Sequence, residues 1–413
     1  IMADLPGPKI RIGKLLNEPL LLEKGNEVIL TVKDLVGTPN QIPVDYKRLP
    51  ESVNPGSLVF LNDGFIQLQV EKVIGEEVFC RTVIGGPLLS HKGLNLPGVK
   101  IFADAVSDMD LEFVAFALQE GVDALGVSFT EEADDILKVK GFAQKRGQSV
   151  YVVAKIERAE AINNFDAILS AADAIMIARG DLGVQIPLQD VPAVQKKLIH
   201  KSNLMGRPVI TAAQMLLSMT ENIRPTRAEV SDVANAILDG TDAVMLSEET
   251  AIGRYPVESV EMISKIAISA ERERKAIRAL ADLPAHFRTG AGSGNTTVED
   301  IISLNAIESA DALNVRYILT NTQGKGAPCL ISRFKPDCWI LSFSGDVKTN
   351  SFLALSYAVY PVCLDVETNA FTDMALRFLA KAGMVEKEQR VILVEDKTTK
   401  DMHGTDSLKI ISV

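Results

Sequence analysis

The chain has 413 residues, with 43 Lys and Arg against 54 Asp and Glu, a net charge of −11. That balance speaks against a protein that coats nucleic acid or anionic membrane, and no apolar run approaches the ~18 residues of a spanning helix. Hydrophobic residues at 47% and charged residues at 23% exclude wholesale disorder. At roughly 150 residues per domain, the length predicts two or three domains.

From about Gly13 to Leu96 the texture is β. Asn26 to Val32 reads as a strand, and Ile66, Leu68 and Val70 alternate with Gln67, Gln69 and Glu71, a period of two with one buried face. Asn62-Asp63-Gly64 and Gly75-Glu76 punctuate the run as turns. A small β barrel or sandwich is expected here.

From Val99 to about Ile268, short apolar strands alternate with helices: Ala124–Phe129, Val150–Ile156, Ala174–Ala178, Val209–Ala212 and Ala243–Leu246. Each is nearly continuously hydrophobic, as parallel strands covered on both faces should be. Their regular recurrence favours part of a (β/α)8 barrel over an open sheet. Ala281 to Ser293, with Pro284, Gly290 and Gly292, reads as a linker. Beyond it, strands at Val315–Thr320, Trp339–Phe343, Val359–Leu364, Val391–Val394 and Leu408–Val413 predict a smaller α/β domain.

Cys80, Cys329, Cys338 and Cys363 form no Cys-x-x-Cys pair, which predicts reduced core thiols in a reducing compartment such as the cytoplasm. The histidines 91, 200, 286 and 403 are equally scattered, so chemistry must rest on Lys, Arg and carboxylates.

In a parallel barrel the active site lies at the carboxyl ends of the strands. Those ends carry Ser128, Lys155, Glu157, Arg179, Asp181, Gln214, Ser247 and Glu249. Lys155 and Glu157, two apart on an extended segment, face the same way. Glu157 and Asp181, on adjacent strands, offer the oxygen ligands Mg²⁺ prefers, and Lys155 beside them can neutralise a transferring phosphoryl group. Gly180 lets the backbone approach an anionic carboxylate. A Lys-x-Glu pair alone is ordinarily a surface ion pair, and Arg-Gly-Asp ordinarily a loop; it is their conjunction at consecutive strand ends that carries the argument. Pro225-Thr226-Arg227-Ala228-Glu229 is a helix start with a capping box, and the 271–275 charge run a solvated helix face. Gly324-Lys325-Gly326 reads equally as a phosphate nest or a plain turn.

With these residues in view, the chain resembles the pyruvate kinases almost end to end. The carrying stretches are Val152-Val153-Ala154-Lys155-Ile156-Glu157-Arg158, Ile177-Ala178-Arg179-Gly180-Asp181-Leu182-Gly183, and Arg224-Pro225-Thr226-Arg227-Ala228-Glu229 running on through Ser231-Asp232-Val233-Ala234-Asn235. Gly7-Pro8 with Ile10-Arg11, Lys92-Gly93 with Asn95-Leu96-Pro97-Gly98, and Gln214-Met215 support them. The resemblance implies a cytoplasmic, tetrameric, allosteric glycolytic enzyme that moves a phosphoryl group from phosphoenolpyruvate to ADP with Mg²⁺ or Mn²⁺. It implies a catalytic (β/α)8 barrel over residues 1–12 and 98–272, an inserted β lid over 13–97, and a C-terminal α/β domain over 273–413. By position, Lys155 would stabilise the phosphoryl group, Glu157 and Asp181 would hold the metal, and the Gly180 and Asp181 amides would receive the substrate carboxylate. Arg11 and Lys92 would lie towards the nucleotide.

The sequence departs from the family pattern at several places. Ile1 falls in what resembles the third barrel strand, so further residues are expected upstream. Ala213 stands where the family has a threonine near the enol carbon, leaving water, or a hydroxyl such as Thr211, to supply the proton. Leu5 and Lys9 replace the threonine and glutamate of K⁺-dependent members; Lys9, with Asp4 nearby, would supply the charge covalently, and K⁺ is expected to be unnecessary. Ser247-Glu248-Glu249-Thr250 carries an extra carboxylate. The effector loop is partly kept as Thr320, Thr322, Gly324 and Lys325. Two other readings stay open: a barrel lyase pairing Glu and Asp on Mg²⁺, and a non-catalytic effector-binding relative.

Overall fold

The computed structural model describes residues 1–99, 101, 104–277, 282–289, 296–322, 326–364, 370–386, 388–396 and 405–413. Six parallel strands form the central wall: β1 (Met2–Asp4), β2 (Ala124–Val127), β3 (Tyr151–Ile156), β4 (Ala174–Ala178), β5 (Val209–Ala212) and β6 (Ala243–Met245). They pair strictly in sequence order. A doubly wound sheet would reverse direction partway; the unreversed order is the winding of a (β/α) barrel wall. β2, β4 and β5 are buried at every residue, which explains their unbroken apolar runs. β1 and β6, at the two edges of the sheet, are only partly covered.

Alternate side chains on these strands enter two different cores. Leu125, Val127, Val152, Ala154, Ile156, Ile175 and Ile177 face outward, packing with the surrounding helices. Ala124, Val153, Ala174, Met176, Ile210 and Ala212 face inward and gather with Met2, Ala243 and Met245, so the sheet curls around them. Phe352, from the C-terminal part of the chain, joins this inner cluster and stacks on Tyr151 with ring centroids 4.1 Å apart. Two of the flanking helices start at capping boxes, Ser107/Asp110 and Thr226/Glu229, the second as the sequence predicts.

Between β1 and β2 lies a β unit with its own core, including Ile66, Leu68 and Val70 on one face of the strand Ile66–Ile74. Its six-stranded sheet runs Gln41–Pro43, Glu27–Thr31, Glu77–Ile84, Ile66–Ile74, Leu58–Leu61, Leu94–Asn95. A two-stranded ribbon, Leu20–Leu22 with Gly86–Leu88, accompanies it.

The C-terminal strands are β7 (Tyr317–Asn321), β8 (Trp339–Ser344), β9 (Val359–Cys363), β10 (Arg390–Asp396) and β11 (Thr405–Ser412). Their order, β9-β8-β7-β10-β11, does reverse, and β11 runs antiparallel at the edge. The expected linker is corrected in its described part: Asp282–Thr289 is helical. Leu283 and Phe287, one turn apart, pack with Leu204, Leu304 and Phe334. Pro284 sits in the first turn, where its missing N–H breaks no helical bond. Cys80, Cys329 and Cys338 are buried free thiols, with Cys80 and Cys338 pushed up to about 12 by burial, whereas Cys363 is exposed and corrects the expectation of four core thiols. Among the described residues no helix is long and apolar enough to cross a membrane.

Candidate active site

The polar site grows out of the inner row of β3. Tyr151 and Val153 point into the curled sheet, so Lys155, and then Glu157 just past the strand, continue the same row. The Lys155 ammonium lies 2.9 Å from Asp4 Oδ2, 3.3 Å from Glu157 Oε1 and 2.8 Å from Ser128 Oγ. Only 12% of the side chain is exposed. Burial pulls its pKa down, but the Glu157 and Asp4 carboxylates outweigh that and hold it above the usual lysine value, so the amine stays a cation. Glu157 is almost fully buried, and its Oε2 accepts the Phe129 N–H at 2.7 Å. Burial first, and Asp181 second, raise its carboxyl above the ordinary glutamate range despite Lys155.

Room for this arrangement comes from Gly126, which β1–β2 register sets opposite Asp4. A Cβ there would stand 2.1 Å from Asp4 Oδ1 and 3.5 Å from Lys155 Cδ. Any side chain at residue 126 would displace the carboxylate that holds the lysine.

Asp181 lies in the helix Arg179–Gln185, directly after β4. Both its oxygens are 3.2 Å from the Lys9 ammonium, which reaches across from the segment following β1. Lys9 therefore faces Asp181, while Asp4 faces Lys155. Gly180 would place a Cβ 3.5 Å from Ala213 Cβ, an ordinary contact, so glycine here leaves open space over the backbone rather than relieving a clash.

Ala213 and Gln214 both adopt left-handed backbone, φ 72° and 52°. Non-glycine residues rarely do, and Arg179 holds them there. Its guanidinium donates to Ala213 O at 2.8 Å and Ala212 O at 3.4 Å, and pairs with Asp232 at 2.7 Å. Thr211 does not face this space. It belongs to the outward parity of β5, is fully buried, and its hydroxyl bonds Thr241 Oγ1 at 3.0 Å.

Arg11 and Lys92 sit together where the inserted β unit meets the barrel. Arg11 bridges to Gly93, its guanidinium donates to His91 O at 2.9 Å, and Lys92 O accepts the Ile12 N–H. Of the acidic pair at 248–249, Glu248 is exposed. Glu249 is buried and accepts the Leu216 and Ser247 N–H groups at 2.9 and 2.8 Å, so it braces two loops. Arg227 opens the helix Arg227–Leu238. At the far end of β7, Thr320 and Thr322 are buried; Gly324 and Lys325 lie outside the described residues.

The sequence did not foretell the Lys9–Asp181 contact, the Ser128–Lys155 hydrogen bond or the Arg179 clamp. The one available signal was positional, since Ser128 and Arg179 also stand at strand ends. Glu157 and Asp181 are hard oxygen donors suited to Mg²⁺ or Mn²⁺, ions that bind through one or two carboxylates and fill the rest of their shell with water and substrate. Among the described residues no group of three or more His, Cys, Asp or Glu side chains is gathered as for a metal ion.

A barrel enzyme is thus defined, with a fixed cation, a two-carboxylate oxygen site and an adjoining open backbone at one rim. Comparison with known proteins gives the family. Profiles described as "Pyruvate kinase, barrel domain" and "Pyruvate kinase, alpha/beta domain" match residues 1–260 and 300–411. The pyruvate kinase of Thermococcus litoralis is 47% identical over 100% of this chain and 86% of that protein. Pyruvate kinase 2 of Synechocystis is 40% identical over 99% of this chain and 68% of that protein. The crystal structure of a Cryptosporidium parvum pyruvate kinase superposes with TM-score 0.87 at 32% identity, covering 100% of this chain and 83% of that one. The chain belongs to the pyruvate kinase family.

Proposed function

We propose that this chain transfers the phosphoryl group of phosphoenolpyruvate to ADP, giving pyruvate and ATP, at the site around Lys155. The supporting observation is the convergence of a permanently charged, largely buried ammonium with Glu157, and with Asp181 close enough to raise the Glu157 carboxyl.

In this reading Glu157 and Asp181 hold a divalent metal, which when bound supplies positive charge against the substrate's phosphate and enolate oxygens. Lys155, fixed by Asp4 and Ser128, presents its N–H donors to the phosphoryl oxygens as charge shifts during transfer. The phosphoenolpyruvate carboxylate lies over Gly180, accepting from the Gly180 and Asp181 amides, with Ala213 shaping the adjoining wall. Arg11 and Lys92, at the mouth, meet the ADP phosphates. With Thr211 turned outward, water entering past Ala213 protonates the enolate carbon. Lys9 brings to Asp181 the charge that a monovalent cation brings in K⁺-dependent members. We also infer the division into 1–12 with 98–272, 13–97 and 273–413, a homotetramer in the cytoplasm, and an effector phosphate near Thr320, Thr322, Gly324 and Lys325.

The test is ATP formation from phosphoenolpyruvate and ADP with Mg²⁺, with and without KCl at constant ionic strength. Turnover that is Mg²⁺-dependent and unchanged by K⁺ is expected. No turnover sinks the assignment, and strong K⁺ activation sinks the role of Lys9.

A further inference from the structure

The chain leaves the barrel for the inserted β unit through a tight turn. Leu5 N–H donates to Gly126 O at 2.8 Å, the last bond to the barrel wall, and Lys9 N–H donates back to Gly7 O at 3.0 Å around Pro8. Gly7 has φ 63°, in the left-handed region that favours glycine. A Cβ there would stand 3.0 Å from Phe129 Cδ2 and 3.2 Å from Ser128 Cβ. Ser128 is the hydroxyl that accepts from Lys155, and Phe129 is the N–H that donates to Glu157. The turn therefore rests on the wall of the candidate active site. Two residues on, the Lys9 stem passes over Gly93, where a Cβ would stand 3.2 Å from Lys9 Cε, and its ammonium reaches both oxygens of Asp181.

Asp110 holds this turn from behind. It is the third residue of the helix Asp108–Gln119 and is buried. Its Oδ2 accepts the Ser107 N–H at 2.8 Å and the Ser107 hydroxyl at 2.6 Å, which completes the capping box. Capping the helix leaves the other oxygen unexplained. That oxygen, Oδ1, accepts the Gly7 N–H at 3.0 Å, from a residue 103 positions away in the chain. A carboxylate is a strong acceptor, and removing it would leave the part-buried Gly7 N–H without this partner. Arg11, on the same crossing, is held separately, because Asp45 accepts its N–H at 2.8 Å. What Asp110 governs is thus the short piece from Gly7 to Lys9.

We propose, resting on the role given to Lys9 above, that Asp110 is a positioning residue for the reaction: through the Gly7 N–H it fixes the turn that delivers the Lys9 ammonium to Asp181. Lys9 stands only two residues beyond the anchored amide, so a swing of Gly7 is carried through Pro8 to the ammonium with little damping. Asp110 lies behind Gly7, and its effect reaches Asp181 through Lys9 alone.

Limiting acetic anhydride acetylates accessible amines, and mass spectrometry compares Lys9 with Lys265, which is exposed on the helix Pro256–Ile277. Asp110→Ala should raise Lys9 acetylation about fivefold relative to Lys265, the worth of one lost hydrogen bond. It should also lower kcat about tenfold or more at saturating phosphoenolpyruvate, ADP and Mg²⁺. Ser107→Ala removes the hydroxyl of the same capping box and spares the Gly7 bond. It should lower the melting temperature yet leave acetylation and kcat as in the wild type. Unchanged acetylation or unchanged kcat in Asp110→Ala, or an equal loss of kcat in Ser107→Ala, would each overturn the proposal. Acetylation is read without substrates, so a wild type with no turnover sinks the reaction while the labelling still judges the hinge. Should Asp110→Ala not fold, the Gly7 amide of the wild type decides: slow hydrogen exchange supports the anchor, and exchange at the rate of a free peptide amide overturns it.

Discussion

Replacing Lys155 with methionine keeps the bulk of the side chain and removes its charge together with the N–H donors that reach Asp4 and Ser128. In the structure that charge lies 3.3 Å from Glu157 Oε1, whose side chain is 4% exposed. At an effective dielectric of about 20, two unit charges at that distance attract by about 5 kcal/mol, an upper bound for what is lost. Glu157 can escape part of the penalty by taking up a proton, because burial and Asp181 already raise its carboxyl. A net cost of about 3 kcal/mol follows, at the low end for breaking a buried pair. At about 2–4 °C per kcal/mol, the melting temperature should fall by about 6–12 °C. The double variant Lys155→Met/Glu157→Gln removes the stranded carboxylate while keeping an acceptor for the Phe129 N–H, and should recover most of that loss. Turnover should fall about 10²-fold or more in the single variant, and the double variant should not regain it. Thermal melts and steady-state assays on wild type, both single variants and the double complete the cycle. A double variant no more stable than Lys155→Met would refute the buried-charge reasoning, and a loss of turnover under tenfold would take Lys155 out of the chemistry.

The raised Glu157 carboxyl sets the sign of two pH effects. Its contribution to stability is fully present below the unfolded value of 4.5 and is lost as pH rises through the higher folded value. Mn²⁺ affinity should run the other way, weakening about tenfold per pH unit below the folded value; titrations followed by the signal of free Mn²⁺ would contradict this if affinity stayed flat down to 4.5. Gly126→Ala should lower turnover strongly while shifting stability by about 1 kcal/mol or less, since the half-exposed Asp4 can swing aside and leave Lys155 without its anchor; an unchanged kcat would argue that the Asp4 contact does not matter. Gly141, inside the helix Ala133–Lys145 with open space where a Cβ would go, offers the reverse case: Gly141→Ala should stabilise by about 0.5–1 kcal/mol, seen as a higher melting temperature at unchanged activity.

The barrel wall was legible because its inner strands are covered on both faces and so cannot hide among polar residues; β4 was read to the residue. The lysine and glutamate of β3 were legible because a separation of two fixes a common side. What the sequence concealed joins residues far apart in the chain: Lys9 to Asp181, Asp4 to Gly126, and Arg179 to Asp232. No local period records such meetings. The helix Asp282–Thr289 was hidden differently. Pro284 and the nearby glycines resemble a linker, and only the packing of Leu283 and Phe287 reveals why the segment coils.

The division of β3 into two rows has a consequence for how this chain can vary. A single residue inserted within that strand would swap the rows, sending the amine into the greasy shell beneath the helices and turning an isoleucine inward in its place. Two inserted residues would restore the parity but lift Lys155 and Glu157 one pleat, roughly 6–7 Å, beyond their neighbours. Length in this segment is therefore frozen by chemistry and packing together, and drift has to be absorbed in the loops on either side.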